Sequence, residues 1–414
     1  MKVTIKLLLA LWTATVALNT WSQTRLLDAR IVDGKTGEPV GYANIYSTSR
    51  TATISNSDGE FRLPVADTAH VRISFVGYET VNLPVSAVGP VVKLRAATYD
   101  IAEVTVLPSG DRLATRVIKK AIKEFRRSRK VQGNYFYRQV TQTDSVCNEY
   151  IEAFFWGRTS YCLPTAHLLE GRYAGLPSDS IVRYQYVTNF FTLSQLSIVA
   201  PELAGDIHGI ISPLRENFKR YYKVTYNTLR STSPTTPDCY VLYFDPLPIV
   251  SSPILQAVVY VDKKTLGVLR CEGNLLGLTM QDIVTGEEHD FVAHLNFSFR
   301  RVGDLFDPKT HDALNSRHSY SELATVSANA LTTFIGRPVR MHSVLYNLGT
   351  SELSGRTQPD FSLKIGEQTD LKTAISHTTY YPDFWKGNET VKRTELEETV
   401  LRMMEGRQLF SNYR

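Results

Sequence analysis

The sequence predicts a mainly β fold: an N-terminal antiparallel β-sandwich, a linking helix, and then a β-rich α+β domain. Three observations carry that expectation. From Leu27 to Val106, short runs of alternating apolar and polar residues are broken by Gly, Asp, Asn and Pro, with no helical period. From Arg112 to Lys130, apolar residues recur at helical spacing. From Asn134 onward alternation returns, in a chain with 22 Tyr and 18 Phe but 5 Met, a balance that suits strands more than helical bundles.

Ahead of the sandwich, Lys2 and Lys6 precede an apolar core from Leu7 to Leu18, and Thr20-Trp21-Ser22 precedes Gln23. A charged region, an apolar core and a small-residue cleavage site in that order read as a signal peptide at 1–22, with the mature chain starting near Gln23. The core falls short of the roughly 20 residues that span a bilayer, and no cysteine lies nearby to accept a lipid. The expected location is the periplasm or the periplasmic face of the outer membrane. The 414 residues carry a formal net charge of +5, to which the signal peptide contributes two lysines and no acid. So mild a surplus argues against nucleic acid as a partner. The length supports several domains, divided as a sandwich at 23–107, a basic amphipathic linking helix at 108–132 and a β-rich α+β domain at 133–414.

Sandwich strands are expected at 29–32, 42–46, 60–63, 71–76, 80–83, 91–94 and 103–106. The run Asp33-Gly34-Lys35-Thr36-Gly37-Glu38-Pro39 makes one turn, with two glycines free to take positive φ, and Asn56-Ser57-Asp58-Gly59 makes another. Those two runs, with Ile73-Ser74-Phe75-Val76-Gly77-Tyr78-Glu79 after them, resemble the carboxypeptidase regulatory-like domain. The resemblance implies a transthyretin-like (Ig-like) sandwich of the kind that opens envelope proteins of diderm bacteria, outer-membrane receptors among them. It implies no catalytic residue, and fold alone does not give chemistry.

In the linking helix, Leu113, Val117, Ile118, Ala121, Ile122 and Phe125 fall on one face, with Ser109 or Asp111 as cap. Arg116, Lys119, Lys120, Lys123 and Arg127 mark the other face as a candidate interaction surface, with Arg112, Arg126, Arg129 and Lys130 beside them and Glu124 opposing. A solvated face is the ordinary reading; the sharper one is a helix that meets anionic lipid headgroups or an acidic partner.

Beyond it, the clearer strands are expected at 135–140, 150–156, 240–244, 257–261, 266–270 and 291–302. Ala293-His294-Leu295-Asn296-Phe297-Ser298-Phe299-Arg300 alternates cleanly, one face apolar and the other wet. Residues 213–222 read as a short helix, and 394–405 as a final helix with Thr394 and Glu397 in a capping box and Gly406 as stop. Asn134-Tyr135-Phe136-Tyr137-Arg138, Tyr150-Ile151-Glu152-Ala153-Phe154, Ile211-Ser212-Pro213-Leu214 and Phe384-Trp385-Lys386-Gly387-Asn388-Glu389 resemble uncharacterised envelope proteins in which this sandwich precedes a β-rich domain. Longer members of that group continue into an outer-membrane barrel, for which the strand signals here are too few. The strands at 240–270 are also similar to the curved half-barrel of periplasmic lipoprotein-binding proteins, which implies a half-barrel type for the second domain.

The cysteines are Cys147, Cys162, Cys239 and Cys271, with no C-x-x-C pair. Export permits bridges, and Cys239–Cys271 is the expected one, on two strands taken as neighbours; the alternative is buried thiols acting as small apolar residues. Nucleophile elbows, phosphate loops, H-E-x-x-H and EF-hand loops are absent, so no catalytic residue, metal ligand or cofactor is assigned. A minor alternative is a zinc carboxypeptidase-like hydrolase, with His167 and Glu170 in H-x-x-E spacing, His294 as third ligand and Glu367 as base. Against it, the alternating β text conflicts with the helix-rich fold of such enzymes. Glu287-Glu288-His289-Asp290 reads as a charged hairpin tip, because strand neighbours point to opposite sides. Tyr184, Tyr186, Phe190, Phe191, Tyr380, Tyr381, Phe384 and Trp385 read as core aromatics, or else as platforms for a sugar or a partner.

The expected function is a non-enzymatic binding or scaffold protein of the envelope, using the sandwich as an interaction module. A protein partner is expected first, with the membrane periphery and a lipid or glycan ligand as further options. The alternative is a lipid or lipoprotein carrier. An apolar concave cavity of several hundred cubic ångström would favour the carrier, and a filled core the scaffold.

Overall fold

The computed structural model describes residues 24–49, 51–97, 99–101, 105–106, 112–126, 131–144, 146–159, 166–176, 210–231, 237–281, 285–302, 320–334, 336–349, 353–355, 364–365 and 371–412. The signal peptide, Arg127, Cys162, Tyr184, Tyr186, Phe190, Phe191 and Glu367 lie outside them.

Alternation builds the sandwich. Its strands are β1 (Thr24–Asp33), β2 (Asn44–Ser47), β3 (Ala52–Ile54), β4 (Glu60–Ala66), β5 (His70–Ser74), β6 (Val81–Pro84) and β7 (Val91–Leu94), in two sheets of order β4-β1-β7 and β3-β2-β5-β6. β1 runs antiparallel to β4, with Leu27 opposite Leu63 and Ala29 opposite Phe61, and parallel to β7. Since side chains alternate across a strand, Leu27, Ala29 and Ile31 point inward together and meet Phe61, Leu63, Val71, Ile73 and Leu94 in one core. The turns are held locally. Asp33 Oδ1 accepts the N–H groups of Lys35 and Thr36 at 2.7 and 2.9 Å, and Asn56 Oδ1 those of Asp58 and Glu60 at 3.0 and 2.8 Å. Gly59 sits at φ 77°, where a Cβ would lie 2.3 Å from the Ile31 carbonyl oxygen, so that turn requires glycine.

Of the expected last sandwich strand, 103–106, the described Thr105 and Val106 pair elsewhere. β8 (Tyr99–Ile101) and β9 (Thr105–Val106) both pair with β13 (Tyr222–Ser231), and so join the large sheet. α1 (Arg112–Arg126) follows. The rest of the sheet is built from β10 (Val131–Thr143), β11 (Val146–Thr159), β12 (Ala166–Gly175), β14 (Cys239–Pro246), β15 (Ile254–Asp262), β16 (Val268–Leu276), β19 (Val292–Val302), β20 (Tyr320–Phe334), β21 (Arg337–Gly349) and β22 (Lys364–Ile365). Their order is β22-β12-β11-β10-β21-β20-β19-β16-β15-β14-β13-β8, a broad open sheet of half-barrel type. β17 (Thr279–Gln281) and β18 (Glu288–Asp290) form a separate hairpin, so the Glu287-Glu288-His289-Asp290 cluster does sit on a charged hairpin.

Each face of the sheet has its own cover. One face carries Tyr135, Tyr137, Ile151, Phe155, Val259, Leu295 and their neighbours, packed against Val117, Ile118, Ala121 and Ile122 of α1. The other carries Phe136, Tyr150, Phe154, Val344 and Tyr346, covered by the C-terminal helices α3 (Pro382–Gly387) and α4 (Glu395–Gly406) through Phe384, Trp385, Val400, Leu401 and Met404. α2 (Leu371–Ser376) adds Leu371 and Ile375 to the first face. Tyr380, Phe384 and Trp385 are therefore core residues, whereas Tyr381 is 54% exposed. The capping box forms as expected: Thr394 Oγ1 accepts the Glu397 N–H, and Glu397 Oε2 the Thr394 N–H at 2.8 Å.

Two expectations are corrected. Residues 213–222 hold a single 3₁₀ turn, Phe218–Arg220, rather than a helix. The spacing of Leu214, Phe218 and Tyr222 reflects burial in the sheet's core, and the Tyr222 hydroxyl donates to the Ile211 carbonyl at 2.8 Å. Cys239 and Cys271 form no bridge and are buried free thiols. β15 lies between their strands, Cys239 facing Asp262 and Cys271 facing Val259. Strands two positions apart are separated by about 10 Å, beyond the roughly 7 Å of Cα separation that a disulfide tolerates. Burial pushes the Cys147 and Cys239 thiols up to about 12, so neither is a thiolate at neutral pH.

Candidate functional site

On the face covered by the C-terminal helices, the side chains that alternate with the apolar ones are polar, and they change character along the sheet. Near β10, β11 and β12 they are charged and buried. Glu152 is fully buried, accepting from Arg138 Nε at 2.7 Å, Arg172 Nε at 2.8 Å and Arg393 Nε at 3.3 Å. Arg138 also donates to Glu397 at 3.2 Å and to the Val391 carbonyl at 2.9 Å, and Arg172 to Glu405 at 3.0 Å. Burial opposes ionisation of Glu152, but the guanidiniums of Arg393, Arg172 and Arg138 overcome it and hold the carboxyl well below the usual range. This network pins residues 391–405 to the sheet.

The start of that segment, with Glu389 and Thr390 just before it, holds the sandwich. Arg62 donates to Glu389 at 2.9 Å, Lys392 Nζ to Asp28 at 2.8 Å, and the Thr53 hydroxyl to the Thr390 carbonyl at 2.7 Å. Directly on the sheet, the Tyr42 hydroxyl and His342 Nε2 are 2.9 Å apart, and the Arg270 guanidinium lies 4.6 Å from the centre of the Phe75 ring. Tyr42 takes φ 61°, the left-handed region that L-residues other than Gly, Asn and Asp rarely adopt, and from there its ring reaches the sheet.

Between these anchors a cleft of about 740 Å³ remains, with the sandwich as one wall, the sheet as floor and α4 at one end. The floor is a ladder fixed by strand register: His342 of β21 pairs with Asn329 of β20, which pairs with His294 of β19, which pairs with Asn274 of β16. Side chains bond along it, His342 Nδ1 to Asn329 at 2.6 Å and His294 Nδ1 to Asn274 at 3.0 Å. Burial lowers the pKa of His342, keeping it neutral, and Arg270 is paired with Glu272 and bonded to Asn296 at 3.2 Å. Tyr78 on the sandwich wall donates to Asp33 at 2.9 Å; burial first and that bond second push its phenol up to about 12. Two exposed leucines, Leu331 at 44% and Leu396 at 52%, stand at the cleft's lining. The clean alternation around His294 and Asn296 was the one sequence signal for this surface; Tyr42, Phe75, Arg270 and His342 carried none.

The zinc alternative does not assemble. His167 and Glu170 lie on β12 and His294 on β19, five positions apart in the sheet order, which is roughly 24 Å at the strand spacing. The His167 ring lies tilted beside that of Trp156, ring centres 6.1 Å apart. No group of three or more metal-ligating side chains occurs among the described residues. On α1, Arg116, Lys119, Lys120 and Lys123 are exposed, and with Arg112 and Lys219 they line a depression of about 550 Å³.

Residues 29–106 match the family described as CarboxypepD_reg-like domain, the family that the sandwich motifs resemble. No curated protein matches the chain. Among solved structures, a DUF1329 family protein from Desulfovibrio piger is similar at 13% identity over 58% of this chain and 94% of that one, with a TM-score of 0.20. A LolA superfamily protein from Nitrosomonas europaea is similar at 14% identity over 58% and 94%, TM-score 0.20, and MucB in complex with MucA at 9% over 56% and 93%, TM-score 0.17. Superpositions this loose assign no residue a role.

Proposed function

We propose that the protein is a non-enzymatic binding or scaffold protein of the cell envelope, and that a segment of a protein partner seats in the cleft between sandwich and sheet. The observation that carries the reading is that cleft: about 740 Å³, walled by both domains and left unfilled by the described chain. Its chemistry is that of an interface, with exposed Leu331 and Leu396 as apolar contacts and amides and imidazoles to satisfy a peptide backbone. Export to the periplasm, or to the periplasmic face of the outer membrane, is the place that the residues before Gln23 favour. The rival carrier needs an open apolar hollow on the α1 side of the sheet. There, Val117, Ile118, Ala121 and Ile122 fill the space against the strands, which favours the scaffold.

The test is site-specific photo-crosslinking in the native envelope, from Leu331 and Leu396 and from Ile249 as an exposed control, followed by mass spectrometry. The expected result is one reproducible protein adduct from both cleft positions and none from Ile249. Adducts of equal yield from all three, or lipid alone, would set the reading aside.

A further inference from the structure

We propose that the exposed face of α1 is a docking surface for anionic lipid headgroups, holding the protein against a membrane without inserting into it. Arg112, Arg116, Lys119, Lys120 and Lys123 recur at steps of three, four and one residues, which places them on one side of the helix, and all five are exposed. The stripe is about 16 Å long at 1.5 Å per residue. Lys219, from the 3₁₀ turn at Phe218–Arg220, converges on it from a second element. Among the described residues, none that lines the depression is acidic, and Thr115 is the one uncharged member.

Charge complementarity names an anionic occupant, and the composition of the face chooses between a membrane and an acidic protein. Protein interfaces are anchored by aromatic side chains and arginine and are depleted in lysine. Here, among the described lining residues, four of the six cations are lysines and none is aromatic. A lysine-rich face without an apolar anchor matches the diffuse phosphate array of a lipid surface. Amphipathic helices that bind membranes by themselves bury their apolar side in the acyl boundary. That route is closed to α1, because Val117, Ile118, Ala121 and Ile122 are 0–5% exposed within the sheet's core. The attachment is therefore electrostatic, reversible and sensitive to salt.

The experiment is co-sedimentation of the full mature chain with vesicles of phosphatidylcholine alone and of phosphatidylcholine mixed with phosphatidylglycerol, at low and at high salt. Binding is expected only to the mixed vesicles, and it should weaken steeply as salt rises. Each basic residue near an anionic surface strengthens binding about fivefold, so Lys119→Glu/Lys120→Glu/Lys123→Glu should weaken it at least about a hundredfold. The corresponding arginine triple should keep it. Unchanged binding by the glutamate triple, equal binding to pure phosphatidylcholine, or no binding to either vesicle would overturn the proposal. A face that captures an acidic protein would give the last of these. The salt titration uses the unaltered protein, so the test stands even where the triple variant misfolds, and none of its outcomes touches the cleft.

Discussion

The two faces of the large sheet come from the same strands and are organised by opposite means. On β10, Tyr135 and Tyr137 turn to the face filled by α1, while Phe136 and Arg138 turn to the face covered by the C-terminal segment. The first face is closed mainly by apolar packing, which is strong but forgiving about which apolar groups meet, with one buried ion pair, Lys372 to Glu149 at 2.7 Å, under α2. The second is closed at one end by Glu152 and its three arginines, which accept only one placement of residues 391–405, and is left open at the other end as the cleft. Packing supplies stability on both sides; on the second, the buried charge of Glu152 and its arginines adds a specification of where the covering segment sits.

The sharpest way to break that contrast is Glu152→Ala. Removing the shared acceptor leaves Arg138, Arg172 and Arg393 buried without it, and truncating one partner of a buried ion network costs about 3–5 kcal/mol. Urea unfolding followed by tryptophan fluorescence should show that loss; a change below about 1 kcal/mol would mean that the network is dispensable. The pH dependence has a definite sign. The folded carboxyl lies well below its ordinary 4.5, so the stabilisation is complete above that value. It is lost as pH falls from there through the folded pKa, and the variant should lack that share of the acid slope, keeping only what other lowered carboxylates such as Asp28 and Asp33 contribute. On the other face, Ile118→Ala removes a fully buried side chain of α1 and should cost about 2–4 kcal/mol, with no comparable acid dependence.

Much of this architecture was legible locally. The alternating strands of the sandwich, the α1 stripe, the wet and dry faces of β19 and the Thr394/Glu397 capping box all rest on residues within a few positions of one another. What was not legible rests on long separations. Arg138 and Arg393 meet Glu152 across 14 and 241 residues, and nothing near any of them announces the partner. Cys239 and Cys271 lie on strands close in sequence, β14 and β16, yet β15 runs between them. The cleft combines Tyr42 and Phe75 with Arg270, Asn329 and His342, and exists only once the sandwich has docked.

A subtler effect belongs to His342, where the sandwich meets the sheet. Burial lowers its pKa below the ordinary 6.5, against the field of Glu397 and with that of Arg138. The folded protein therefore prefers the neutral ring that engages Tyr42 and Asn329. Stability is complete above pH 6.5 and declines as pH falls from there toward the folded pKa. His342→Gln should remove that slope when unfolding midpoints are compared across mildly acidic pH, and an unchanged slope would assign it to another group.

The smallest effect tests the contrast from its exposed end. Arg62 bridges the sandwich to the C-terminal segment, 3.0 Å from Asp28 and 2.9 Å from Glu389, but its side chain is 34% exposed and Asp28 42%. Water already solvates such a pair, so Arg62→Ala should cost about 0.2–1 kcal/mol, a fraction of the Glu152 effect, despite near-identical distances. The sandwich keeps the Thr53–Thr390 bond, the Tyr42–His342 bond and Ile54 within the core beneath α3 and α4. A loss of several kcal/mol at Arg62 would mean that the distances, and not the burial, set the strength of these bridges, and the distinction drawn between the two ends of that face would fall.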